Sequence, residues 1–146
     1  MTSGVEFCMI VRSSIAALEL YEKIFDVERV EVSDFGAGFS EAVFNIYGTR
    51  FHLLDENPEH MLIAPKEGDP RSTWTNVTVP EIAITFEKAL EAGCQQISPI
   101  NDMPQMGVKN AIFADEFGYM WMLHQVDRVV SHEERMEIFR KSQENV

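Results

Sequence analysis

The 146-residue sequence is short of cations, of cysteine and of long apolar runs. Twelve Lys and Arg stand against 24 Asp and Glu, a formal charge of -12 that repels phosphate backbones and anionic membrane surfaces. Nucleic acid and membranes are therefore not expected partners. No stretch approaches the roughly 18 apolar residues a spanning helix needs, and MTSGVEFCMIV has no basic leader before its short apolar run, so a cytoplasmic location is expected. The two cysteines, Cys8 and Cys94, form neither a CxxC pair nor a disulfide framework and are expected as small buried hydrophobes, with Cys94 the alternative reactive thiol. No glycine-rich phosphate loop occurs, and no Ser or Cys nucleophile has a visible His and acid partner.

What the chain does have is a pattern written twice. VEFCMIV at 5–11 is a β-rich run, followed by Ile15, Leu18, Tyr21, Ile24 and Phe25 at helical spacing. VERVEV, SEAVFNIY and RFHLLDE then read as three strands, the last two joined by a tight turn at Gly48-Thr49. ENPEHMLIAPKEGDPRS carries three prolines and suits an exposed crossover. The order then repeats. TWTNVTV alternates like a strand, Pro80 fits a first helical turn, and Ile82, Thr85, Phe86, Ala89 and Leu90 form a helical stripe ended by Gly93. QQISPI, a polar loop NDMPQMGVK, NAIFAD and YMWMLHQ complete the second half.

The halves align on themselves. YEKIF at 21–25 meets FEKAL at 86–90, and AVFNIYGTRFHLL at 42–54 meets AIFADEFGYMWMLH at 111–124, so that Gly48 falls on Gly118 and His52 on Met122. Matches in one order at nearly constant offset point to duplication of a βαβββ unit. The expected organisation is one α+β domain with module one at about 4–56, a crossover at about 57–72 and module two at about 73–126. A C-terminal helix at about 131–142 follows, opened by Ser131 and Glu134 in capping-box spacing.

Two such modules closing on Asp115, Phe117, Gly118, Trp121 and Leu123 (D-x-F-G-x-x-W-x-L) resemble the vicinal oxygen chelate superfamily of glyoxalases, extradiol dioxygenases and bleomycin-resistance proteins. Within it, FEKALEAGCQQISPINDMPQMGVKNAIFADEFGYMWML is most similar to the PhnB-like group, although ADEFG replaces the commoner DPFG turn. The resemblance implies half-barrels around a shared cleft, a homodimer, and a divalent metal held by His, Glu or Gln on the first and last strands of each module. Counting from the aligned helices and glycine turns sets those four positions at Phe7 (with Glu6 one register away), His52, Trp74 (with Thr75 one register away) and Met122.

One imidazole beside a phenyl ring, an indole and a thioether offers too few hard donors for Zn²⁺, Ni²⁺, Mn²⁺ or Fe²⁺. The expectation is therefore no cofactor and no metal, with a divalent ion as the alternative if β-register brought Glu6, His52 and His124 together. The cleft is expected to be lined by Phe7, Met9, His52, Trp74, Met120, Met122 and His124 and to bind a small, partly apolar or planar molecule, with His52 as the candidate general base. Trp121 and Leu123, of opposite parity, are expected in the core. Two further functions follow from the resemblance: a metal-dependent lyase, isomerase or dioxygenase, and an acidic protein that sequesters a cationic drug.

Overall fold

The structure, a computed structural model, describes residues 2–144. Its elements run β1 (Phe7–Val11), α1 (Ser14–Ile24), β2 (Val27–Ser33), β3 (Glu41–Ile46), β4 (Thr49–Asp55), β5 (Thr75–Thr78), α2 (Ile82–Glu91), β6 (Gln95–Met103), β7 (Val108–Ala114), β8 (Met120–Val126) and α3 (His132–Glu144). This is βαβββ twice, followed by a helix. Each module makes one four-stranded sheet, ordered β1-β4-β3-β2 and β5-β8-β7-β6, with its first strand parallel to its last and the other pairs antiparallel.

Local chemistry explains the elements. Tyr47 and Gly48 both take positive φ, 47° and 81°, the two-residue turn whose twist matches a tight hairpin between β3 and β4. Ser13 caps α1 by accepting from the Ala16 N–H, and the buried Asp55 accepts from both the backbone N–H and the hydroxyl of Ser14. At the corresponding place in module two, Gln125 Oε1 accepts from the Ile82 N–H at 2.8 Å. Glu81 occupies the N-cap of α2, so Pro80, expected in the first helical turn, lies just before the helix.

The polar stretch expected as a loop at 101–109 is mostly strand, leaving only 104–107 as the turn between β6 and β7. Both faces of this hairpin end are solvated, so its polar side chains carry no burial penalty and the ladder simply continues, with register shifts around Ser98.

One core joins the modules. Trp121, fully buried, lies 5.0 Å from Tyr21, 5.1 Å from Phe25 and 6.1 Å from Phe51, centroid to centroid. Leu123 is buried with it. Asp115 ties the modules further: it accepts from the Tyr21 hydroxyl at 2.6 Å, from Trp121 Nε1 at 2.9 Å and from the N–H groups of Phe117 and Tyr119. Burial and the adjacent carboxylate push the Tyr21 hydroxyl well above its ordinary pKa, so it stays a donor. By contrast, among the described residues, α3 buries none of its side chains and packs against no other strand or helix.

Candidate functional site

Side-chain alternation follows from the pairing. Phe7 faces Phe51 across β1 and β4, Cys8 faces His52, and Met9 faces Leu53. Because Phe51 and Leu53 turn into the core, Phe7 and Met9 share that side, while Glu6, Cys8, Arg50 and His52 turn outward. The register left open in the sequence is thereby settled in favour of Glu6 beside His52, and Phe7 packs 5.8 Å from the Phe51 ring instead. Cys8, expected to be buried, is exposed; β1 is apolar on both faces although only Met9 and Val11 are buried, so its sequence carries no period-2 signal.

The outward face of the first sheet is a connected polar group. Glu6 Oε2 accepts from Arg50 Nε at 2.7 Å, and Glu6 Oε1 lies 2.9 Å from His52 Nδ1. The Cys8 thiol points at the same Oε1 from 3.9 Å. On the far side of the ring, His52 Nε2 is buried without a hydrogen bond, with the Glu41 carboxylate 3.4 Å away. The hydrogen bonds from His52 and then Arg50 hold the Glu6 carboxyl below its usual range. Burial, then the Glu6 charge, push the Cys8 thiol up, so it is a protonated donor to Glu6 at neutral pH.

The second sheet offers no counterpart. In β5 and β8, Asn76 faces Met122 and Thr78 faces His124. By alternation Trp74 shares the face of Asn76, away from Trp121 and Leu123. His124 sits between Thr78 and Asn110 and is not joined to the Glu6–His52 pair.

The metal expected of the resemblance is therefore tested on its donors. Ligands drawn from both modules would include a thioether and an indole or amide, which does not suit a hard divalent ion. The donors that do converge, Glu6, Cys8 and His52, all belong to module one and lie within 4.8 Å of one another. The two-module hard-ligand set does not fit this chain.

A cavity of about 690 Å³ lies between β1 and β5 and shares Cys8 with the polar group of the first sheet. Phe7, Met9, Phe51, Trp74, Tyr119 and Met120 supply most of its apolar wall. Consecutive residues 7–9 and 73–78 line it, so strand edges as well as side chains are presented. Among the described residues β1 pairs only with β4 and β5 only with β8, so each stands at the edge of its sheet. Tyr119 closes one end by donating its hydroxyl to the Ile10 carbonyl at 2.8 Å. Four of the residues read from the sequence as cleft lining, Phe7, Met9, Trp74 and Met120, meet here, whereas His52, Met122 and His124 lie on the outward sheet faces.

Sequence reasoning missed Cys8, Arg50 and Tyr119. Arg50 was within reach, since it stands two residues before His52 in the same strand and so shares its face. Cys94 is buried, its thiol pushed up to about 12 chiefly by burial, which leaves it inert.

Comparison with solved structures gives the same architecture. The fosfomycin resistance protein FosX from Listeria monocytogenes, in complex with Mn(II) and sulfate, superimposes with a TM-score of 0.67 at 16% identity, covering 95% of this chain and 98% of that one. FosX from Mesorhizobium loti gives 0.65 at 17% identity over 94% and 98% of the two chains. TioX from Micromonospora sp. ML1 gives 0.62 at 15% identity over 88% and 100%. Among curated proteins no sequence match is found. The family model described as Glyoxalase/Bleomycin resistance protein/Dioxygenase superfamily matches residues 5–123, and the chain belongs to that superfamily.

Proposed function

We propose that this protein, a single domain with modules at about 4–56 and 73–126, binds a small planar or partly apolar molecule in the cavity between β1 and β5. The observation that carries this reading is the cavity itself: about 690 Å³, with aromatic and thioether walls and polar residues Thr49, Thr73, Thr75, Asn76 and Thr78 among its lining. That volume and lining match small-molecule sites, and Met120 adapts to irregular shapes. The PhnB-like likeness and a cytoplasmic setting belong to the same proposal. So does homodimerisation, which is supported by the uncovered outward sheet faces, by exposed Phe35 and Phe39, and by the unpacked apolar residues Met136 and Phe139 of α3.

A titration followed by tryptophan fluorescence tests it. Planar aromatic ligands, cationic ones included, are expected to quench Trp74 saturably, and Trp74→Ala to weaken binding by about 10-fold or more. Absence of saturable quenching across neutral, anionic and cationic aromatics would remove the proposal. Selective capture of cations would favour a drug-sequestering role, to which the charge of -12 is suited.

A second reading, metal-dependent chemistry, is supported by the meeting of Glu6, Cys8 and His52 and by the likeness to FosX, a protein whose structure contains Mn(II). In the metal-dependent reading His52 serves as a ligand, whereas in the metal-free reading any catalysis rests on His52 as general base, held by Glu6 at one nitrogen and facing Glu41 at the other.

A further inference from the structure

We propose that the cavity between β1 and β5 takes a neutral planar heterocycle, a cyclic amide or imide, whose ring edge sets an N–H donor beside a carbonyl acceptor and pairs with the backbone of Asn76. The proposal rests on the cavity reading above and names the ligand class for that site.

Charge decides the first half. Asp, Glu, Lys, Arg and His are all absent from the described residues that line the cavity, and the polar group of the first sheet reaches it only through Cys8, whose thiol is protonated. An ionised ligand would give up its water there without meeting a counter-charge, a cost that a neutral ring system avoids. Phe7, Phe51, Trp74 and Met120 offer apolar surface to the ring faces.

Strand geometry decides the second half. Along an extended strand the N–H and C=O of one residue point to the same side, and those of the next residue to the opposite side. The Val79 N–H donates to the His124 carbonyl at 2.7 Å, so Thr75, Val77 and Val79 address β8 while Asn76 and Thr78 address the open edge. In β1 the Val11 carbonyl accepts from the Glu56 N–H at 2.7 Å, so Cys8 and Ile10 address the edge in turn. Cys8 lies opposite His52 and Asn76 opposite Met122, which makes Cys8 and Asn76 equivalent positions. Duplication thus gives both walls of the cavity a backbone donor–acceptor pair.

The two edges are not equally available. The Tyr119 hydroxyl already occupies the Ile10 carbonyl, and β1 contributes only residues 7–9 to the cavity, whereas residues 73–78 line it without a break. Asn76 stands in the middle of that run. An amide held cis within a ring carries its N–H and C=O side by side and can meet both groups of Asn76 at once. An open-chain trans amide points them in opposite directions and cannot.

The test titrates isotope-labelled full-length protein with 2-quinolone and, separately, with N-methyl-2-quinolone, which keeps the rings and the carbonyl but lacks the donor. The lactam is expected to bind about 10-fold or more tighter by calorimetry. It should also move the Asn76 amide proton downfield, a shift that the N-methyl compound does not produce. N76P reads the same edge from the protein side, because proline is tolerated on an edge strand where its missing N–H faced away from the ladder. In N76P, with wild-type circular dichroism, the ratio of the two affinities should fall to about 1. If N76P does not fold, the amide shift in the wild type decides. Equal affinities for the wild type, an unmoved Asn76 amide, or a ratio that survives N76P would overturn the proposal. Quenching of Trp74 by aromatics alongside equal quinolone affinities would sink the ligand class alone, whereas no quenching by any aromatic removes the cavity reading and the ligand class together.

Discussion

The two modules share a backbone and differ in what they do with it. Gly48 and Gly118 close equivalent hairpins, and Asp55 and Gln125 stand at equivalent places to receive the first N–H of α1 and of α2. On the outward faces the likeness ends. Module one carries Glu6, Cys8, Arg50 and His52 in one hydrogen-bonded group, while module two carries Asn76, Met122 and His124 with no ion pair between them. Duplication thus preserved the parts that make the fold, and polar chemistry became concentrated in one copy. Module two took the complementary task of supplying Trp121 and Asp115, which hold both copies together.

The largest effect expected from breaking this division is at Asp115. Asp115→Ala leaves the buried Tyr21 hydroxyl and Trp121 indole without their acceptor, and a loss of about 3–4 kcal/mol in denaturant-unfolding stability is expected. Asp55→Ala, whose bonds stay inside module one, should cost less; an equal or greater loss there would deny Asp115 its bridging role.

The paired glycines give an intermediate effect. Both take positive φ, so alanine is strained at either, by about 1 kcal/mol. At Gly48 a Cβ meets open space, whereas at Gly118 it would come within 2.7 Å of Pro65 in the crossover. Thermal unfolding should therefore show Gly118→Ala to be the more damaging by about 1 kcal/mol or more. Equal melting temperatures would mean that the crossover yields freely.

The smallest effect is on acid stability. Folded Glu6 has a pKa below its ordinary value because His52 and Arg50 favour the carboxylate. Its contribution is complete above the unfolded value of about 4.3 and is lost as pH falls through the lower folded value. Glu6→Gln should therefore be slightly less stable than wild type at neutral pH, with the gap closing below about pH 4. A gap that persists in acid would show that the Gln side chain disturbs packing rather than charge.

Much of the architecture was legible because glycine turns and helical stripes are local signals. The match of Gly48 to Gly118 placed His52 and Met122 at equivalent positions, and the structure puts each on the outward face of its sheet. Trp121 and Leu123 were legible as core by parity alone. The candidate site was harder to read. VEFCMIV is apolar at positions that turn to either face, so β1 carried no alternation from which to choose between Glu6 and Phe7, and only pairing with β4 decides it. Cys8 meets His52 across 44 positions of sequence, a separation that no local pattern reports. The polar 101–109 stretch misled for the opposite reason: composition suggested a loop where two solvated strand ends continue to pair.

The bond from Tyr21 to Asp115 also bears on how the chain acquires its structure during synthesis. It spans 94 residues, and the indole that shares the same carboxylate comes six residues later still. A ribosome delivering residues in order completes α1 long before it delivers the acceptor for its buried hydroxyl. Module one therefore waits with the Tyr21 hydroxyl unpaired and Phe25 without the Trp121 ring until the last hairpin emerges, which makes the final quarter of the chain the step that commits the first.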